Sequence, residues 1–72
     1  MKDLNVIGLV KKEERYIVLY HDDQSSEALR TIGRWASNPG LSFDWWDAAR
    51  MSYRVLEIRS QVHNRITGGL TP

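Results

Sequence analysis

The chain has 72 residues, of which 42% are hydrophobic and 26% are charged, and its formal net charge is +1. This composition is typical of one folded domain and excludes an intrinsically disordered chain. There is no cysteine, which excludes disulfides and thiolate metal sites. No apolar run reaches the roughly 20 residues that a membrane-spanning helix needs. The small net charge creates no strong overall field for nucleic acid or anionic membranes.

The N-terminal sequence predicts the compartment. Residues 1–9 lack the basic start, the long apolar stretch and the small-residue cleavage site of a signal peptide. The absence of cysteine fits a reducing environment. We therefore expect a cytoplasmic protein.

Two short apolar segments come first. Residues 4–10 (LNVIGLV) and 15–21 (RYIVLYH) are rich in β-branched, aliphatic and aromatic side chains, which favours strands. The four charged residues between them favour an antiparallel hairpin. A half-buried antiparallel strand normally alternates apolar with polar residues. Here both faces are apolar, with Leu4, Val6 and Val10 opposing Ile7 and Leu9, and with Tyr16, Val18 and Tyr20 opposing Ile17 and Leu19.

Two helices are predicted after the hairpin. Residues 22–26 (DDQSS) supply helix-capping side chains, and apolar residues at helical spacing follow them. Residues 37–40 (SNPG) end the first helix, because proline disfavours helical geometry in the residue before it. The second helix is expected from about Phe43 to about Arg65, with Ser42 as its cap. Its predicted apolar face comprises Trp45, Ala48, Ala49, Val55, Leu56, Val62 and Ile66.

These elements predict an α+β fold in the order ββαα, an antiparallel β-hairpin followed by an antiparallel helical hairpin. We expect residues 1–67 to form a single domain and residues 68–72 to form a flexible C-terminal tail.

The apolar surface exceeds what this fold would cover. One helix pair covers one face of the sheet, and a two-stranded sheet has two open edges. The second helix also carries apolar residues on both flanks of its predicted apolar face. We therefore expect a homodimer; the alternative is that the rings lie flat on a monomer surface. The interaction candidates are Trp46, Tyr53, Ile58, Tyr16 and Tyr20.

One compact cluster carries side chains suited to metal or acid–base chemistry. His21, Asp22 and Asp23 could bind a divalent cation, or His21 could shuttle protons. Adjacent residues at a strand end do not converge on one point, so a strand end and a helix cap is the favoured interpretation. Known catalytic motifs are absent from the sequence. We expect no enzyme activity, no cofactor and no metal.

Arginine pairs spaced four residues apart lie on both predicted helices. An arginine guanidinium suits phosphate, so such pairs could contact a nucleic-acid backbone. Asp47 and Glu57 lie three residues from two of these arginines, and that spacing favours local ion pairs on a charge-balanced ridge. The candidate nucleic-acid contacts are Arg30, Arg34, Arg50 and Arg54.

The order strand, helix, turn, helix from Arg15 to Arg59 resembles the ribbon–helix–helix family of dimeric DNA-binding repressors. In that family, paired strands from two subunits enter the major groove. The resemblance implies a small nucleic-acid-binding regulator. A ribbon strand needs polar or basic residues on its groove-facing side, whereas this strand is aromatic and aliphatic. The extra N-terminal strand also lies outside the pattern, so this function is the alternative.

A second resemblance covers residues 14–50. The stretches ERYIVLYHDD and LRTIGRWASNPGLSFDWWDAA resemble short uncharacterised proteins of planctomycete-type bacteria, which implies a bacterial origin and no known activity. The preferred hypothesis from the residues is a small, non-catalytic protein-interaction module that self-associates, with docking of a further protein partner left open.

Overall fold

The computed structural model describes residues 3–67, with side chains up to residue 62. The elements are β1 (Leu4–Lys11), β2 (Glu14–His21), a 3-10 turn (Asp22–Gln24), α1 (Ser25–Ala36) and α2 (Trp45–Thr67). This order confirms the predicted α+β fold with ββαα topology. The predicted tail, residues 68–72, lies outside the described residues.

The two strands form an antiparallel sheet with eight residues in each strand. The register runs from Leu4 opposite His21 to Lys11 opposite Glu14. The connection is two residues long, shorter than the predicted four, because Lys11 and Glu14 extend the ladder. Lys12 adopts a φ of 58°, in the left-handed region that tight hairpin turns use.

The core lies between the sheet and the helices. On the same face of the sheet, α1 contacts β2 and α2 contacts β1. Ile32 from α1 and Val55 from α2 are fully buried at its centre. The other buried hydrophobic residues are Ile7, Tyr16, Val18, Tyr20, Ala28, Phe43, Ala48 and Met51.

Side-chain hydrogen bonds hold the segments on either side of α1, although Gln24, the N-cap residue of α1, makes no side-chain capping hydrogen bond. At the start, the Asn5 Nδ2 donates to Asp22 Oδ1 at 2.7 Å, and the His21 N–H donates to Gln24 Oε1 at 3.0 Å. After its end, Asn38 Oδ1 accepts from the Gly40 N–H at 2.9 Å, which closes the turn around Pro39. This turn agrees with the predicted stop.

The start of α2 differs from the prediction. Asp44, not Ser42, precedes the first helical residue, and Asp44 and Asp47 each accept the backbone N–H of the other at 3.0 and 3.1 Å. This reciprocal arrangement is a capping box. The Ser42 N–H donates instead to Glu14 Oε1 at 3.2 Å. Phe43 is 2% exposed, so the chain before the helix is held against the core.

The buried face of α2 is also rotated from the predicted one. Ala48, Met51 and Val55 are buried, whereas Trp45 and Leu56 are exposed. Ala49 is exposed as well. The physical reason is that Phe43 occupies the core position nearest the helix start, and this places Met51, which is outside the predicted apolar face, against the sheet.

Candidate interaction surfaces

The face of the sheet away from the helices is apolar and open. Five aliphatic side chains on it are between 54% and 71% exposed. Among residues 3–62 the helices contact the opposite face, and no described side chain covers this apolar surface. We call it the outer sheet face, and it consists of Leu4, Val6, Val10, Ile17 and Leu19.

The sequence indicates that both sheet faces are apolar, but the sequence analysis did not identify which face lies away from the helices. The sequence of β2 contains a pattern that indicates which of its faces is exposed to solvent. Arg15 and His21 share the alternation of Ile17 and Leu19, and both are exposed. A strand face that begins and ends with charged or polar residues faces solvent more readily than one that carries aromatic rings.

Two of the interaction candidates lie in the core. Tyr16 is 6% exposed and Tyr20 is 4% exposed, so their rings are not available to a partner. The Tyr16 hydroxyl donates to Glu14 Oε1. This hydrogen bond raises the pKa of Tyr16 and lowers the pKa of Glu14. The ring instead joins a cluster with Phe43 and Trp35, at centroid distances of 4.7 and 5.6 Å.

The Tyr20 hydroxyl is buried without a hydrogen-bond partner among the described residues. Burial raises the pKa of Tyr20. An unpaired buried hydroxyl costs about 1–3 kcal/mol. We therefore expect Tyr20→Phe to raise the free energy of unfolding by about 1 kcal/mol in a urea titration. Tyr16→Phe is the matched control and should lower it by a similar amount, because it removes a satisfied hydrogen bond. A destabilised Tyr20→Phe variant would contradict this prediction.

A second apolar surface runs along the outside of α2. Trp46 is 80% exposed and Tyr53 is 69% exposed. Trp46 precedes the buried Val55 by nine residues, which is about 180° around a helix, so it points away from the core. Ile58, the remaining interaction candidate, is half-buried against the core. We call this surface the helical stripe, and it consists of Trp45, Trp46, Tyr53 and Leu56.

A buried carboxylate joins the hairpin to α2. Asp47 is 3% exposed. Its Oδ2 accepts from Lys11 Nζ at 2.7 Å, and its Oδ1 accepts from Arg50 Nη2 at 3.0 Å. The Lys11 ammonium and the Asp44 N–H hold the pKa of Asp47 far below its usual range. Lys11 also contacts Asp44 at 2.9 Å. Sequence reasoning paired Asp47 only with Arg50 and missed Lys11, which lies 36 residues earlier.

The four candidate nucleic-acid contacts fall into two groups. Arg50 pairs with Asp47, and Arg54 pairs with Glu57, as their spacing predicted. Arg30 and Arg34 on α1 form no ion pair among the described residues. Arg34 donates only to the Thr31 hydroxyl, at 3.3 Å. The uncompensated positive charge of these four residues therefore lies on α1.

His21, Asp22 and Asp23 do not form a metal-binding group in the described part of the chain. Asp22 is bonded to Asn5, and within the part of the chain that the structure describes, no three His, Asp or Glu side chains are grouped as a metal site. Neither helix of the described region is long and apolar enough to cross a membrane.

Comparisons of the chain with known protein families, with curated proteins and with solved structures found no match.

Proposed function

We propose that this chain is a small, non-catalytic interaction module that self-associates through its outer sheet face. The observation that carries the proposal is the set of five aliphatic side chains, each more than half exposed, on one side of the hairpin. Soluble monomers seldom leave a contiguous apolar patch of this kind in water.

The dimensions of the outer sheet face suit a second copy. Eight-residue strands are about 26 Å long, and two paired strands are about 10 Å wide. Two such sheets pack face to face about 10 Å apart in β-sandwiches, whose inner faces are apolar. A standard interface buries about 800 Å² on each partner, so the aliphatic residues need the polar residues around them to complete the contact area.

Arg15 favours one orientation of the two copies. It lies at the turn end of the outer sheet face, opposite Val10. A two-fold axis parallel to the strands would place the two Arg15 side chains together, where like charges repel. An axis perpendicular to the strands separates them by about 20 Å along the sheet. The perpendicular axis is therefore the expected symmetry.

Oligomeric state tests the proposal directly. We expect light scattering after size-exclusion chromatography to give a dimer at micromolar concentration. Leu19→Lys should convert it to a monomer, because it places a charge inside the apolar contact. Leu19 is mostly exposed in the single chain, so circular dichroism should show an unchanged fold. Leu56→Lys, on the helical stripe, is the matched control and should remain dimeric.

A wild-type monomer at 100 µM, or a Leu19→Lys variant that stays dimeric, would refute the proposal. Because the chain has no cysteine, Glu13→Cys can carry a single spin label at the exposed hairpin turn while Arg15 is retained. The perpendicular axis predicts a label separation above about 20 Å. A dimer that survives Leu19→Lys would indicate pairing through a strand edge instead.

A further inference from the structure

An open groove lies between the end of α1 and the start of α2. This groove is shallow. Arg30, Gly33 and Arg34 line it from α1, and Pro39 and Trp45 line it from the turn and from α2. The outer sheet face is on the other side of the sheet from the helices, so this groove stays open in the dimer proposed above.

The presence of glycine at position 33 favours a binding role for the groove. A glycine inside a helix is less stable than alanine. Apart from its two chain neighbours and the backbone of α1 itself, no described atom lies within 4 Å of the position that a Cβ would take at Gly33, so packing against the rest of the described domain does not require glycine here. A side chain at this position would instead occupy the groove. The space next to Gly33 can therefore accept a side chain of a bound partner.

The side chains around the groove indicate the charge and polarity of the ligand that it would bind. Arg30 and Arg34 lie one turn apart, and neither forms an ion pair among the described residues. Glu27 lies one turn before Arg30 and two turns before Arg34, and among the described residues it forms no ion pair with either guanidinium. Across the groove, Trp45 is 63% exposed and presents an apolar ring. The polar side chains between the helices are already used, since Ser37 Oγ donates to the Gly33 carbonyl at 3.0 Å and Asn38 Oδ1 accepts from Gly40.

We propose that this groove binds an acidic peptide segment, with an apolar side chain seated over Gly33 against Trp45 and a neighbouring carboxylate paired with Arg30 and Arg34. Two guanidinium groups match one or two carboxylates, whereas a nucleic-acid backbone needs a longer row of positive charge. Arg50 and Arg54 of α2 add no unpaired positive charge to that row, because Asp47 and Glu57 form ion pairs with them.

The test uses ¹⁵N-labelled protein and three probes. The first is a pool of octapeptides in which aspartates flank one randomised apolar position. The second is the same pool with lysine in place of aspartate, and the third is a ten-nucleotide oligothymidylate. We expect the acidic pool alone to shift the Gly33 amide and the Trp45 indole N–H. The shifts should weaken as salt is raised, because the contact is partly ionic.

Substitutions distinguish binding in this groove from nonspecific electrostatic attraction to the protein surface. Arg30→Ala combined with Arg34→Ala should weaken binding of the best peptide at least tenfold, and Arg15→Ala, outside the groove, should leave it unchanged. Gly33→Ala should raise the unfolding midpoint and still weaken binding, so loss of fold cannot explain the result. Glycine in place of the apolar peptide residue should abolish the shifts.

Several outcomes would overturn the proposal. These are no shift with the acidic pool, equal binding of the lysine pool or of peptides without an apolar residue, or shifts at Gly33 and Trp45 with the oligonucleotide only. The last would assign the groove to single-stranded nucleic acid. Each result is independent of the oligomeric state, so failure here leaves the self-association proposal standing.

Discussion

Replacing Phe43 with alanine should produce the largest loss of stability of any variant considered for this chain. Phe43 is 2% exposed and contacts the rings of Tyr16 and Trp35. Truncation of a buried phenylalanine costs about 3–5 kcal/mol. A 72-residue domain has a total stability of about 4–10 kcal/mol, so we expect Phe43→Ala to lose about half of its free energy of unfolding and to unfold at a much lower urea concentration. Urea titration at fixed protein concentration, followed by circular dichroism, measures this.

The control for Phe43→Ala is Trp46→Ala. Trp46 lies in the same part of the chain and is a larger side chain, but it is 80% exposed. Its truncation should change the free energy of unfolding by no more than about 0.5 kcal/mol. Phe43→Leu should retain much of the packing and lose about 1–2 kcal/mol. Equal effects for Phe43→Ala and Trp46→Ala would show that the ring cluster does not hold the segment before α2.

Replacing Asp47 with asparagine should have the second largest effect. The substitution preserves shape but removes the charge that accepts hydrogen bonds from Lys11 and Arg50. Hydrogen bonds to charged groups contribute about 1.5–3 kcal/mol, and Lys11 is partly exposed, so we expect a loss of about 2 kcal/mol. The control is Glu57→Gln, which breaks only the exposed pair with Arg54 and should cost less than about 0.5 kcal/mol.

The pH dependence of Asp47→Asn provides an independent check. Folding lowers the pKa of Asp47 because Lys11 and the Asp44 N–H stabilise its charged form. The stabilisation is therefore present above the ordinary carboxyl pKa, near 3.8, and is lost as the pH falls toward the folded pKa. The difference between wild type and Asp47→Asn should be largest near pH 7 and should shrink below about pH 4. A difference that does not change with pH would contradict an ionic role.

Several features of this fold were predictable from short-range sequence patterns. β-Branched and aromatic composition, apolar residues at helical spacing, turn residues and Pro39 specify two strands and two helices, because those signals act over a few residues. The i,i+3 ion pairs of Arg50 and Arg54 were predictable for the same reason. The arc of apolar residues around α2 likewise predicted surplus surface at Trp46 and Tyr53.

The outer surface of the sheet required the tertiary structure. Both alternating sets in the strands are apolar, so the pattern alone did not decide which face the helices cover. The aromatic set, Tyr16 and Tyr20, is the buried one, and the aliphatic set around Ile17 is open. Burying the larger rings removes more apolar area from water than burying the aliphatic set.

By itself, the sequence determined the order of elements, the end of α1 and the excess of apolar side chains. Only the tertiary structure decided where α2 begins, which face it buries and where its first turn is anchored. Those outcomes depend on Phe43 entering a ring cluster with Tyr16 and on Asp47 meeting Lys11. Both contacts join residues far apart in the chain, and helical or strand periodicity carries no information about such pairs.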